Sequence, residues 1–112
     1  MARERIPKGI LSMAILATLW DRGGYGYLLQ KDLESLIGFP LSRGEIYSML
    51  RHLEIRGFVH RVEGNTAGAR RTYYITTEKG KTFFLGQRET ILKAIRVMEN
   101  LERFLEEHGT IG

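Results

Sequence analysis

The chain has 112 residues, 43% hydrophobic and 27% charged, which is the make-up of one compact globular domain and not of a disordered or low-complexity chain. With no cysteine, disulfides, cysteine-ligated zinc, iron–sulfur sites and thiol nucleophiles are excluded. The formal net charge is +4, but Glu99, Glu102, Glu106 and Glu107 against Arg103 give the last 15 residues −3 and leave +7 on the first 97, an imbalance that points toward an anionic partner such as nucleic acid.

At the start of the chain, Arg3, Arg5 and Lys8 precede an apolar run from Ile10 to Trp20. A small-residue cleavage pattern is missing, the run closes on Trp20-Asp21-Arg22, and eleven residues are too few to span a bilayer. The expectation is a cytoplasmic protein without a membrane segment, its first helix covering residues 7–21. Pro7 suits the opening turn. Only Ser12 and Thr18 interrupt the apolar character from Ile10 to Trp20, so this helix needs cover on nearly every side, part of it from a second subunit.

Gly23-Gly24-Tyr25-Gly26 breaks the chain. A second helix is predicted over about 26–37, with Leu29, Leu33 and Leu36 at core spacing, and Gly38 fits its left-handed cap. Ser42 is a suitable N-cap for a third helix, with Glu45 completing a capping-box pattern. Ile46, Met49, Leu50 and Leu53 mark the buried stripe of that helix, and Gly57 ends it.

Beyond Gly57 the texture becomes β-branched and aromatic. Phe58–Glu63 and Arg70–Thr76 read as a hairpin joined by a six-residue loop, Gly64–Ala69. Two phases are open for the second strand: Tyr73 and Ile75 inward, or Tyr74 and Thr76 inward. Thr77 then caps a helix predicted over 78–108, whose 31 residues would extend about 46 Å. Phe84, Ile91, Met98 and Leu105 recur every seven residues, with Ile95 and Leu101 between them. Such a stripe asks for a helical partner, so these six residues are the candidate dimer interface.

Three helices followed by a two-stranded hairpin is the order of a winged helix-turn-helix, an α+β fold that is mostly α. The expected division is a DNA-binding domain over 1–76 and a long C-terminal dimerisation helix over 77–112. At 100° per residue the apolar stripe of the third helix leaves Gly44, Ser48, Arg51 and Ile55 on the opposite face, flanked by Tyr47 and His52. Arg and Ser donate to base edges or phosphates, and Tyr commonly reaches a phosphate. Arg70 and Arg71 stand at the base of the wing, and the small residues from Asn65 to Gly68 would fit a minor groove. From Ser42 to Thr76 the net charge is +3, with Arg43 among the contributors. The candidate DNA contacts are therefore Ser42, Arg43, Tyr47, Ser48, Arg51, Arg70 and Arg71.

Four stretches make the sequence recognisable: ILATLW at 15–20, YGYLLQKDL at 25–33, LSRGEIYSMLRHLEIRGFV at 41–59 and RRTYYITTEKG at 70–80. Together they resemble the PadR family of bacterial and archaeal transcriptional regulators over about residues 10–80. The single terminal helix looks like the short branch of that family. The resemblance implies a homodimeric repressor on a palindromic operator, its terminal helices building the dimer, with Ser42, Tyr47, Ser48 and Arg51 facing DNA. Glu45 and Thr76 depart from the family pattern, which usually has a small polar and an apolar residue there.

Family members often sense small molecules, some of them aromatic compounds held between subunits, and Trp20, Phe84 and Met98 could line such a space. The favoured reading of all three is core or interface packing, since apolar stripes are usually buried. His52, His60 and His108 lie on different elements without metal-ligand spacing, and no phosphate loop, nucleophile elbow or dinucleotide fingerprint occurs. No enzyme, cofactor or metal is therefore expected. The expected partners are double-stranded DNA, a second copy of the chain and a small hydrophobic or aromatic effector. The alternative reading is a winged helix that binds protein instead of DNA.

Overall fold

The first helix, α1 (Lys8–Thr18), starts at Pro7 and is shorter at its C-terminal end than the sequence predicts. These details come from a computed structural model that describes residues 6–66 and 68–109, with the side chains of Thr66, Ala69 and Arg70 outside that description. Leu11, Ile15, Leu16 and the following Leu19 are buried, whereas Ile10 and Ala17 lie open to solvent. The helix ends at Thr18 because the Trp20 N–H turns to the Ala17 carbonyl at 3.3 Å. The carbonyls of Leu16 and Leu19 then need other donors. Both come from Thr76, whose hydroxyl donates to Leu16 at 2.8 Å and whose N–H donates to Leu19 at 3.0 Å.

The glycine-rich break, expected only to turn the chain, contains a short strand, β1 (Gly24–Tyr25). It leads directly into α2 (Gly26–Ile37). Leu29 and Leu33 are buried as predicted, but Leu36 is 59% exposed, because the inward stripe continues from Leu33 to Ile37, which packs partly against the core. Gly38 adopts the left-handed cap at φ 93°. The third helix, α3 (Arg43–Ile55), is capped by Ser42, whose side chain accepts from the Glu45 N–H at 3.5 Å. Its predicted stripe of Ile46, Met49, Leu50 and Leu53 is buried.

Strands β2 (Val59–Thr66) and β3 (Ala69–Thr76) form the wing. They pair in register from Val59 opposite Thr76 to Thr66 opposite Ala69, so only two residues connect them and not the six predicted. Gly64 and Asn65 still join the ladder because pairing uses the backbone, and small side chains do not prevent it. Gly68, at φ 78°, helps close the tight turn. β1 adds to the far side of β3, giving the antiparallel order β1-β3-β2. The open question of phase resolves with Tyr74 and Thr76 inward.

The single long helix predicted over 78–108 is divided into α4 (Glu78–Leu85) and α5 (Arg88–His108) by a turn at Gly86-Gln87. Glycine has the highest backbone entropy cost in a helix, and the interruption falls there. Thr77 caps α4, accepting from the Gly80 N–H at 3.0 Å while donating to the Gly57 carbonyl at 2.6 Å. Phe83 and Phe84 pack partly against the core, whereas none of the residues of α5 is buried. No helix among the described residues is long and apolar enough to cross a membrane.

Candidate nucleic-acid interface

Burying Ile46, Met49, Leu50 and Leu53 fixes the rotation of α3 and turns the opposite face outward. Gly44, Tyr47, Ser48, Arg51, His52 and Ile55 are all exposed there, matching the face deduced from helical periodicity. Two side chains that the sequence pattern does not single out hold the turn between α2 and α3 against α2. Glu34 accepts the Leu41 N–H at 2.6 Å, and the Gln30 amide donates to the Leu41 carbonyl at 3.1 Å. These are side-chain to backbone contacts 7 and 11 residues apart in sequence, and no helical or strand period announces them.

The basic residues divide by what they touch. Arg61 pairs with Glu54 at 3.4 Å and Glu63 at 3.2 Å, tying α3 to the wing. Arg56 lies over Phe58 and Phe83, its guanidinium carbon 4.8 and 5.6 Å from the ring centres. Arg43 is exposed and donates weakly to Gln30 at 3.4 Å. Arg51 has no ion-pair or hydrogen-bond partner among the described residues. The backbone of Arg70 belongs to β3, but its side chain lies outside the described ones. Arg71 sits over the Tyr27 ring at 4.9 Å.

The inward phase of Tyr74 and Thr76 places Arg71, Tyr73 and Ile75 on the opposite sheet face. Tyr25 contacts Tyr73 edge-on at 5.4 Å and tilts against Tyr27 at 5.8 Å. A Cβ on Gly26 would come within 3.2 Å of the Tyr47 hydroxyl and 3.1 Å of the Tyr74 ring, so a larger residue there would have to push these two side chains back by a few tenths of an ångström. Burial pushes the Tyr74 phenol above its ordinary pKa, with the nearby Arg61 charge acting in the opposite direction.

The six residues read as a dimer stripe separate in the same way. Phe84 meets Trp20 edge-on at 5.7 Å within its own chain, and Ile91 is half-buried. Ile95, Met98, Leu101 and Leu105 are each at least half exposed. Between α1, α4 and the start of α5 runs a shallow apolar groove of about 420 Å³, with Trp20, Phe84, Arg88, Ile91 and Leu92 along it. Met98, expected beside Trp20 and Phe84, does not line it. Among the described residues no three histidine or acidic side chains converge on a metal-binding arrangement.

Comparison with known proteins places this architecture. The model of the transcriptional regulator PadR-like family matches residues 15–85. The crystal structure of a candidate transcriptional regulator from Thermoplasma acidophilum is 31% identical, covering 97% of this chain and 100% of that one, with a TM-score of 0.79. A PadR family transcriptional regulator from Eggerthella lenta is 28% identical over 88% of this chain and 84% of its own, with a TM-score of 0.67. A PadR family transcription regulator from Clostridium difficile is 26% identical over 83% and 98%, with a TM-score of 0.71.

Proposed function

This chain belongs to the PadR-like family of transcriptional regulators, and from that premise we propose that it is a cytoplasmic, homodimeric repressor that grips a palindromic operator. The observation that carries the reading is the exposed face of α3, where Arg51 stands without an internal partner beside Ser48 and Tyr47. A guanidinium left unengaged on a helix rigidly seated by four buried residues is available to a base edge in the major groove. Ser42, Arg43, Arg70 and Arg71 supply backbone contacts around it, which anchor without reading sequence. Residues 1–76 form the DNA-binding part and 77–112 the dimerisation part, with α4 fastening the second to the first.

The dimer follows from α5. Its apolar side, including Ile95, Met98, Leu101 and Leu105, is at least half exposed among the described residues, and a second α5 supplies cover. Two recognition helices then meet one face of the duplex about 34–36 Å apart. The groove beside Trp20 and Phe84 suits a small aromatic effector, with Arg88 in its lining favouring an anionic one.

Comparing two variants on specific and random duplexes tests the assignment of roles. Arg51→Ala is expected to cost about 1–3 kcal/mol on the chain's own upstream DNA and to relax discrimination. Arg70→Ala should weaken all duplexes alike and flatten the salt dependence. Equal losses on both duplexes for Arg51→Ala would reduce that residue to a phosphate anchor.

A further inference from the structure

The sequence reading gives Tyr27 no role, yet it is 56% exposed at the point where α2, α3 and the wing meet. Its predecessor Gly26 lies against the Tyr47 hydroxyl of α3. Its own ring lies under the guanidinium of Arg71, which β3 carries opposite Gly64 of β2. Behind it, Tyr25 tilts against the ring and is itself met edge-on by Tyr73, with which it pairs across the β1–β3 ladder. An arginine on a strand edge ordinarily samples many rotamers, and holding it costs side-chain entropy. An aromatic face attracts the cation by its quadrupole and removes part of that freedom in advance.

We propose that Tyr27 is a positioning residue for DNA binding: its braced ring holds Arg71 beside the recognition helix, so that α3 and the wing engage the phosphate backbone as one rigid unit. The inference rests on the DNA-binding reading and goes beyond it, since Tyr27 acts through Arg71. Two features of the geometry carry it. The Arg71 guanidinium is already seated on the ring in the free subunit, and Gly26, the residue before Tyr27, packs against Tyr47 of α3.

The test measures affinity for the chain's own upstream duplex against salt, for wild type, Tyr27→Leu, Tyr27→Phe, Arg71→Ala and the Tyr27→Leu/Arg71→Ala pair. Tyr27→Leu should lose about two- to fivefold in affinity, the range of an exposed cation–aromatic contact. Tyr27→Phe keeps the ring face and should bind as wild type. The double variant should be no weaker than Arg71→Ala alone, because the two residues act as one. In the free protein, the ring-current shift of the Arg71 Nε–H resonance should disappear in Tyr27→Leu and persist in Tyr27→Phe. Additive losses, a Tyr27→Phe defect equal to that of Tyr27→Leu, or an unshifted Arg71 resonance in wild type would each overturn the inference. Any of these with normal wild-type binding leaves the DNA-binding reading intact. Failure of wild type to bind any duplex at low salt removes both.

Discussion

Thr76 shows how one side chain can settle two elements. It is 4% exposed and its hydroxyl donates to the Leu16 carbonyl, which the end of α1 leaves without a helical donor. Thr76→Val should therefore cost about 1–3 kcal/mol, the penalty of a buried acceptor left unmet. Chemical denaturation would measure it, and an unchanged midpoint would mean that water replaces the hydroxyl. Its neighbour Tyr74 gives a pH signature. Burial raises the phenol's folded pKa above its ordinary value of about 10, so the folded state holds the proton where the unfolded chain releases it. The stability contributed by the neutral phenol is complete below pH about 10 and is lost as pH rises through the folded pKa. Tyr74→Phe should lower the melting temperature less steeply than wild type above that pH. Parallel curves for the two proteins would count against a desolvated phenol.

At the scale of elements, legibility followed the strength of the period. The α3 stripe repeats at helical spacing between two chemical stops, Ser42 and Gly57, and both its buried and exposed faces were readable. The wing was readable as a hairpin but not in phase, because Tyr73, Tyr74, Ile75 and Thr76 offer a similar apolar character to either face. What decides the phase is distant: the free carbonyls at the end of α1 require a donor at Thr76. β1 was not readable, since two residues carry no alternation. The division of α4 from α5 was hidden because the seven-residue repeat from Phe84 to Leu105 runs straight through it. Gly86 has an ordinary right-handed conformation, φ −67° and ψ −12°, and a Cβ there would meet neighbours no closer than 3.4 Å. Gly86→Ala should therefore stabilise the protein by about 0.4–1 kcal/mol by restricting the unfolded chain. A lower melting temperature would show that the turn needs glycine for another reason.

For the whole molecule, the described residues extend 60 × 35 × 20 Å, and the apolar side of α5 is uncovered along nearly its full length. Ile95 is 50% exposed in the single chain, so Ile95→Glu leaves the subunit's own core untouched. In a dimer the introduced charge would be buried at a cost of several kcal/mol. Sedimentation should find that variant monomeric and still folded; a stable dimer would place the interface elsewhere. The family and the winged helix could be read from residues 10–80, because local motifs specify them. The assembly could be read only as an unpaired stripe, because a partner's surface is not written in one chain's contacts.

Recognition helix, wing and dimer stripe all lead to one central claim, that this chain binds duplex DNA through several phosphate contacts per dimer. The most direct measurement is the affinity of the wild-type protein for its own upstream duplex across a salt titration. The logarithm of the binding constant should fall linearly with the logarithm of salt, by about 0.9 for each phosphate engaged. With at least one contact from each subunit's Arg70 and Arg71, four in all, the slope should be about −3.6 or steeper. Binding that is absent at low salt, or independent of salt, would contradict the account.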